Sequence, residues 1–115
     1  METINEVKEF FFERGDLHDC NINNIAWNLK SNRLEVSILD LNANFIGLPE
    51  YSGPQPGRLI FDGIESVKTD VSPSGDNLQI YEASFSVRNG WQVVEFLLSP
   101  AGKFVVHSTA VSLEL

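Results

Sequence analysis

A chain of 115 residues suits a single domain, and 43% hydrophobic with 10% aromatic content is too apolar for a disordered segment. The net charge of −8, from 16 acidic and 8 basic residues, opposes contact with phosphate backbones. Nucleic acid is therefore not an expected partner; a protein with a basic surface would be attracted, and the same charge also serves plain solubility. The single cysteine, Cys20, leaves no internal disulfide to form, and no apolar run approaches the roughly 20 residues of a membrane span. With no apolar signal region behind a basic start, the expected compartment is the cytoplasm.

Residues 3 to 14 predict a helix. Thr3-Ile4-Asn5-Glu6 has the form of a capping box, in which the threonine hydroxyl accepts from the Glu6 N–H and Glu6 reaches back. Ile4, Val7 and Phe11 share one face with Phe10 at its margin, and Glu2, Glu6, Glu9 and Glu13 gather on the opposite one. That acidic stripe is either a docking surface or an ordinary solvated face. Phe12 lies off the apolar stripe, and Gly15 is placed for the left-handed residue past the helix end.

Leu17-His18-Asp19-Cys20 follows as a corner into the first strand. Cys20 and Ile22 alternate, then Ile25, Trp27 and Leu29 alternate in the other phase, so a bulge or break is expected at Asn23-Asn24. The polar turn Lys30-Ser31-Asn32-Arg33 leads into Leu34, Val36 and Ile38, predicting a hairpin whose second strand runs to Leu41 or on to Phe45. Residues 46 to 57 hold three prolines and three glycines and form the main irregular segment. Tyr51 within it is a candidate contact residue, or a ring folded back over the core with its hydroxyl wet. Arg58 to Asp62 predicts a third strand, with Ile64 and Val67 spaced for a helical turn or a bulged continuation. Ser72 to Asn77 is a turn by composition. Residues 78 to 115 predict a three-stranded meander. Its first strand places Tyr81, Ala83, Phe85 and Val87 on one face, and Asn89-Gly90 makes the turn of its first hairpin. Its last strand places Val105, His107, Thr109, Val111, Leu113 and Leu115 together.

The residue chemistry points away from catalysis. Two histidines, His18 and His107, and one cysteine without C-x-x-C or H-x-x-x-H spacing do not predict a metal site, and no cofactor fingerprint is present. A Cys20–His18 nucleophilic pair is conceivable on one strand face, but Cys20 belongs to the apolar alternation and reads as core. His18-Asp19 reads either as a polar binding spot or as architecture, with Asp19 accepting backbone N–H bonds and His18 bridging helix and sheet.

The amphipathic helix, the run L-H-D-C-x-I-x-x-I-x-W, a turn, L-E-V-S-I and the later R-L-I-F-D-G-I-E-S-V resemble small bacterial β-rich proteins. In these a leucine-histidine-aspartate corner introduces the first hairpin, and some are similar to immunity proteins of contact-dependent toxin systems. The resemblance spans about residues 10 to 70. It places the corner at Leu17, His18 and Asp19 and the later strand at Leu59, Phe61, Ile64 and Val67, and it implies no catalytic residues. The long proline-glycine loop stands outside it.

The expectation is thus an α+β domain: an N-terminal helix packed on a curled, mainly antiparallel sheet of about six strands, as a half-barrel or two-layer sandwich. The expected function is non-enzymatic protein binding, with an immunity protein as its finer form. His18, Asp19, Tyr51, Glu6, Glu9 and Glu13 are the candidate binding residues. The alternatives are a small-ligand binder with an apolar pocket lined by Trp27, Trp91 and phenylalanines, and a structural subunit that dimerises through an open sheet edge. Monomer and homodimer are both compatible with the pattern.

Overall fold

The computed structural model describes residues 1–72 and 75–115. One helix, α1 (Ile4–Phe12), precedes six strands: β1 (Asn21–Asn28), β2 (Arg33–Ile38), β3 (Gly57–Asp70), β4 (Leu78–Arg88), β5 (Trp91–Ser99) and β6 (Lys103–Glu114). A short 3₁₀ turn, Ala43–Phe45, lies between β2 and β3. Every pairing is antiparallel, in the order β1-β2-β3-β6-β5-β4, and β4 returns to β1. The α+β architecture matches expectation, and the curl goes beyond a half-barrel or a two-layer sandwich to a closed ring.

The helix starts as its sequence predicts. Thr3 Oγ1 accepts the Glu6 N–H at 3.2 Å, while the Glu6 carboxylate reaches one residue further than a standard box, to the Glu2 N–H at 3.3 Å. The C-terminal end is a Schellman motif: Asp16 N–H to Phe11 O at 2.9 Å, Gly15 N–H to Phe12 O at 3.4 Å, and Gly15 at φ 73. Ile4, Val7 and Phe11 are buried against β4 and β6. Phe11 stacks on Phe85 with ring centroids 5.4 Å apart. Burying such a side chain contributes about 1.5–3 kcal/mol. The Leu113 N–H donates to Met1 O at 2.8 Å and ties the chain start to β6.

Strand phases follow the sequence until a bulge shifts them. In β1 the register with β2 slips between Ile22 and Asn24, where the apolar phase changes. β2 stops at Ile38, short of the predicted Leu41 or Phe45, because Asp40 Oδ1 accepts the Asn42 N–H at 2.9 Å and turns the backbone away. β3 takes the bulged continuation, slipping against β6 between Ile64 and Ser66. In β4 the slip between Ile80 and Glu82 puts Ile80 into the core with Ala83 and Phe85 and takes Tyr81 off their face, whereas Val87 keeps that face but is exposed at the strand end. In β6 the inward residues are Phe104, Val106 and Ser108, then Val111 and Leu113. The predicted single face of Val105, His107 and Thr109 is corrected by that change of phase, which lies opposite the β3 slip. Asn89 (φ 52) and Gly90 (φ 84) join β4 to β5 as predicted. Of the turn expected over 72–77, Pro73 and Ser74 lie outside the described residues.

The ring interior is occupied by side chains. Phe61, Phe96, Leu59, Val36, Ile80 and Val106 are fully buried within it. Among the described residues no helix is long and apolar enough to cross a membrane.

Candidate functional site

The corner after α1 is built by a left-handed stretch of backbone. Asp16 (φ 53), Leu17 (φ 64) and Asp19 (φ 67) follow Gly15, and Leu17 is fully buried. Such conformations strain L-residues and persist only where the surroundings impose them. Here β4 does so. The Asp19 N–H donates to Ile80 O at 2.9 Å, the Ile80 N–H to Cys20 O at 2.8 Å, and the Ala83 N–H to Asp16 O at 2.9 Å. The corner is a strap laid along the edge of β4, across its bulge.

His18 and Asp19 complete that strap. His18 Nδ1–H donates to Tyr81 O at 2.6 Å, and the two rings meet edge to face at 5.4 Å. The tautomer follows, since a carbonyl can only accept. His18 Nε2 lies 3.5 Å from Asp19 Oδ1, and that oxygen accepts from Gln79 Nε2 at 3.3 Å. Cys20 points into the core, and burial pushes its thiol up to about 12. A nucleophilic cysteine needs the opposite environment, so Cys20 and His18 do not form a catalytic pair.

Tyr51 lies elsewhere, folded back over the loop that carries it. Its hydroxyl donates to Asp40 Oδ2 at 2.7 Å. Asp40 Oδ1 accepts the N–H groups of Asn42 at 2.9 Å and Gln55 at 3.0 Å. Partial burial alone would raise the Asp40 carboxyl, but the bonds from Gln55, Tyr51 and Asn42 together hold it below its ordinary value. The hydrogen bond to Asp40, followed by burial and repulsion from the same charge, raises the Tyr51 phenol. Tyr51 is therefore a strut of the proline-glycine loop. Its organising partner, Asp40, went unrecognised in the sequence, where the sole cue was an aspartate at the end of a strand.

The acidic helix face divides. Glu6 turns toward the helix cap, and Glu13 lies 3.9 Å from Arg14. Glu9 instead lines a groove of about 400 Å³ between α1 and β4, with Asn5, Lys8, Phe12, Asp16, Glu82, Ala83, Ser84 and Phe85. Phe12, off the apolar stripe, is 74% exposed on the wall of this groove. Glu9, Asp16 and Glu82 set three carboxylates around it against the single ammonium of Lys8. Of the six candidate residues the fold brings His18 and Asp19 together and places Glu9 in the groove; Tyr51 is remote. Phe12 carried a signal in its phase, whereas Asp16, Glu82 and Ser84 carried none. Strand pairing also gathers cations the sequence scatters: Lys68, Arg88 and Lys103 line a second concavity with His107, Asp70 and Glu95. Among the described residues no group of three His, Cys, Asp or Glu side chains is arranged to hold a metal ion.

No family model matches the chain, and no curated protein matches it. Among solved structures, an uncharacterised protein from Neisseria gonorrhoeae is similar in fold, with a TM-score of 0.60 and 16% sequence identity over 85% of this chain and 92% of that one.

Proposed function

We propose that this chain is a non-enzymatic protein-binding domain that receives a partner with a basic surface in the groove between α1 and β4. The observation that carries the reading is Phe12, an exposed aromatic ring on the wall of a groove rimmed by Glu9, Asp16 and Glu82. Aromatic anchors surrounded by polar rims concentrate binding energy, and rim charges govern association rate and salt dependence. The high Cys20 thiol and the commitment of the His18 ring to a backbone carbonyl support the non-enzymatic part. The finer reading is an immunity protein that neutralises a bacterial toxin in the cytoplasm. Its support is the resemblance at Leu17, His18 and Asp19, with a free, buried cysteine suited to a reducing compartment. The reading of an internal small-ligand pocket has less support, because phenylalanines and aliphatic residues occupy the ring interior and Trp27 stands exposed on β1.

Affinity capture at low and high salt tests the proposal. A partner retained at low salt and weakened by salt is expected, with Phe12→Ala weakening capture by roughly 30-fold, as for a central aromatic anchor. Glu9→Lys with Glu82→Lys should slow association. Capture indifferent to all three changes, or no partner under either condition, overturns the groove reading. Co-expression with any toxin encoded beside this chain tests the finer reading: growth arrest that this chain does not relieve, or no toxin there, removes the immunity role and leaves protein binding to be judged by the capture result.

A further inference from the structure

Beyond Ile22, β1 is paired on one side only. The β2 register runs from Ile22 to Asn28, whereas β4 meets β1 at Asn21 and Ile22 alone. A bulge at Asn23 follows, and past it β1 keeps only its pairing with β2. Among the described residues no strand runs along the other side of Asn24–Asn28. Their alternate backbone N–H and C=O groups form an open edge.

Two features of this edge are unusual. Residues 20 to 29, C-N-I-N-N-I-A-W-N-L, contain no charged residue and no proline, in a chain of net charge −8. Proteins normally blunt exposed edges with lysine, proline or an inward charge, and none of these lies along Asn24–Asn28. Second, Ile25 and Trp27 stand opposite the buried Val36 and Leu34, on the core face of the sheet, yet are 37% and 43% exposed. They are inward-facing side chains with no paired strand beyond β1; Gly75 to Leu78 face Asn24 and Ile25 only across a small concavity.

We propose that a second copy of this chain completes the edge, by antiparallel pairing of β1 with β1 across a two-fold axis at Ala26. A symmetric interface must be self-complementary. In this register Ile25 stands opposite the partner copy's Trp27 and Trp27 opposite its Ile25. Ala26 meets Ala26, and Asn24 meets Asn28. Each apolar side chain faces an apolar one and each amide an amide. Aromatic against β-branched is among the favourable cross-strand pairs. Shifting the axis to Ile25 would set Trp27 against Asn23 and Ala26 against Asn24, and would lose that match. Charge selects the same occupant: two copies at −8 repel each other, and the uncharged run from Cys20 to Leu29 is where their strands can meet without opposing like charges. A basic partner would be drawn to the carboxylates of α1 and β4 instead. The dimer therefore leaves the groove free and does not depend on the groove reading.

Sedimentation or light scattering across a concentration series is expected to show a mass rising to twice the 12.9 kDa of the chain. Ile25→Lys and Trp27→Glu should each return it to the monomer mass with an unchanged far-ultraviolet spectrum, while Val87→Lys, on β4, leaves the dimer intact. Ala26→Cys should couple to itself with a short bis-maleimide, and Ser31→Cys, in the β1–β2 turn, should not; Cys20 is buried and does not compete. A monomer at the highest concentration reached, a dimer indifferent to both β1 substitutions, or no preference of the linker for Ala26→Cys each overturns the assignment.

Discussion

Asp40 shows how one side chain can terminate a strand and organise the loop after it. Its carboxylate holds Asn42, Gln55 and Tyr51 at once, and these contacts fold back a segment of three prolines. Its carboxyl is held below its ordinary value, so the stability it supplies is fully present above the unfolded value of about 3.9 and is lost as pH falls through the folded value. Asp40→Asn should accordingly flatten the acid limb of a urea-midpoint-against-pH curve below about pH 4. At neutral pH it should cost about 1 kcal/mol, low for charge-assisted bonds because the carboxylate is largely solvated. Equal acid sensitivity in the two proteins would assign the limb to other carboxylates. His18 works on the same scale: one N–H, donated to Tyr81 O, steadies the β4 bulge that the strap crosses.

At the scale of the element, α1 carries charge against its own dipole. Its first turn has Glu6 in a favourable place, but its last turn has no basic residue, and Glu9 and Glu13 sit toward the negative end. A helix under no other demand gains from cations there. Glu13→Lys should therefore raise stability by about 0.3–1 kcal/mol in urea denaturation. If the acidic face serves a basic partner, the same substitution should weaken capture. A variant both more stable and better retained would detach the acidic face from binding. Phe12 fits the same pattern, since an exposed ring contributes little to the fold and Phe11 beside it already fills the core contact with Phe85.

At the scale of the molecule, the ring is unequally joined. β3 and β6 are paired from Arg58 with Glu114 to Asp70 with Lys103, and β4 with β5 from Gln79 to Arg88, whereas the β1–β4 seam is Asn21 and Ile22 alone. Local opening follows the weakest join. Hydrogen exchange should be slowest in β3, β5 and β6 and fastest along Asn23–Asn28. Protection of that stretch should rise with protein concentration as the second copy pairs with it. Uniform protection around the ring would mean the seam is stronger than its two pairs.

Local chemistry was legible where it acts over a few residues. The Thr3 cap, the left-handed Gly15, the Asn89-Gly90 turn and the phase slip at Asn23 each depend on neighbours in the chain, and the sequence alone determined them, along with the meander from β4 to β6 and the helix-on-sheet class. The phases of β4 and β6 were not legible, because Tyr81 extends the alternation of Ala83 and Phe85 across the slip and Val105 extends that of Val111 and Leu113, so these windows, unlike the one around Asn23, show no change of phase. Ring closure, the Tyr51–Asp40 bond, the groove of Glu9, Phe12 and Glu82, and the open edge of β1 were decided by tertiary structure. Each joins residues far apart in the chain, and their meeting is set by strand pairing and the filling of a common core rather than by any local preference.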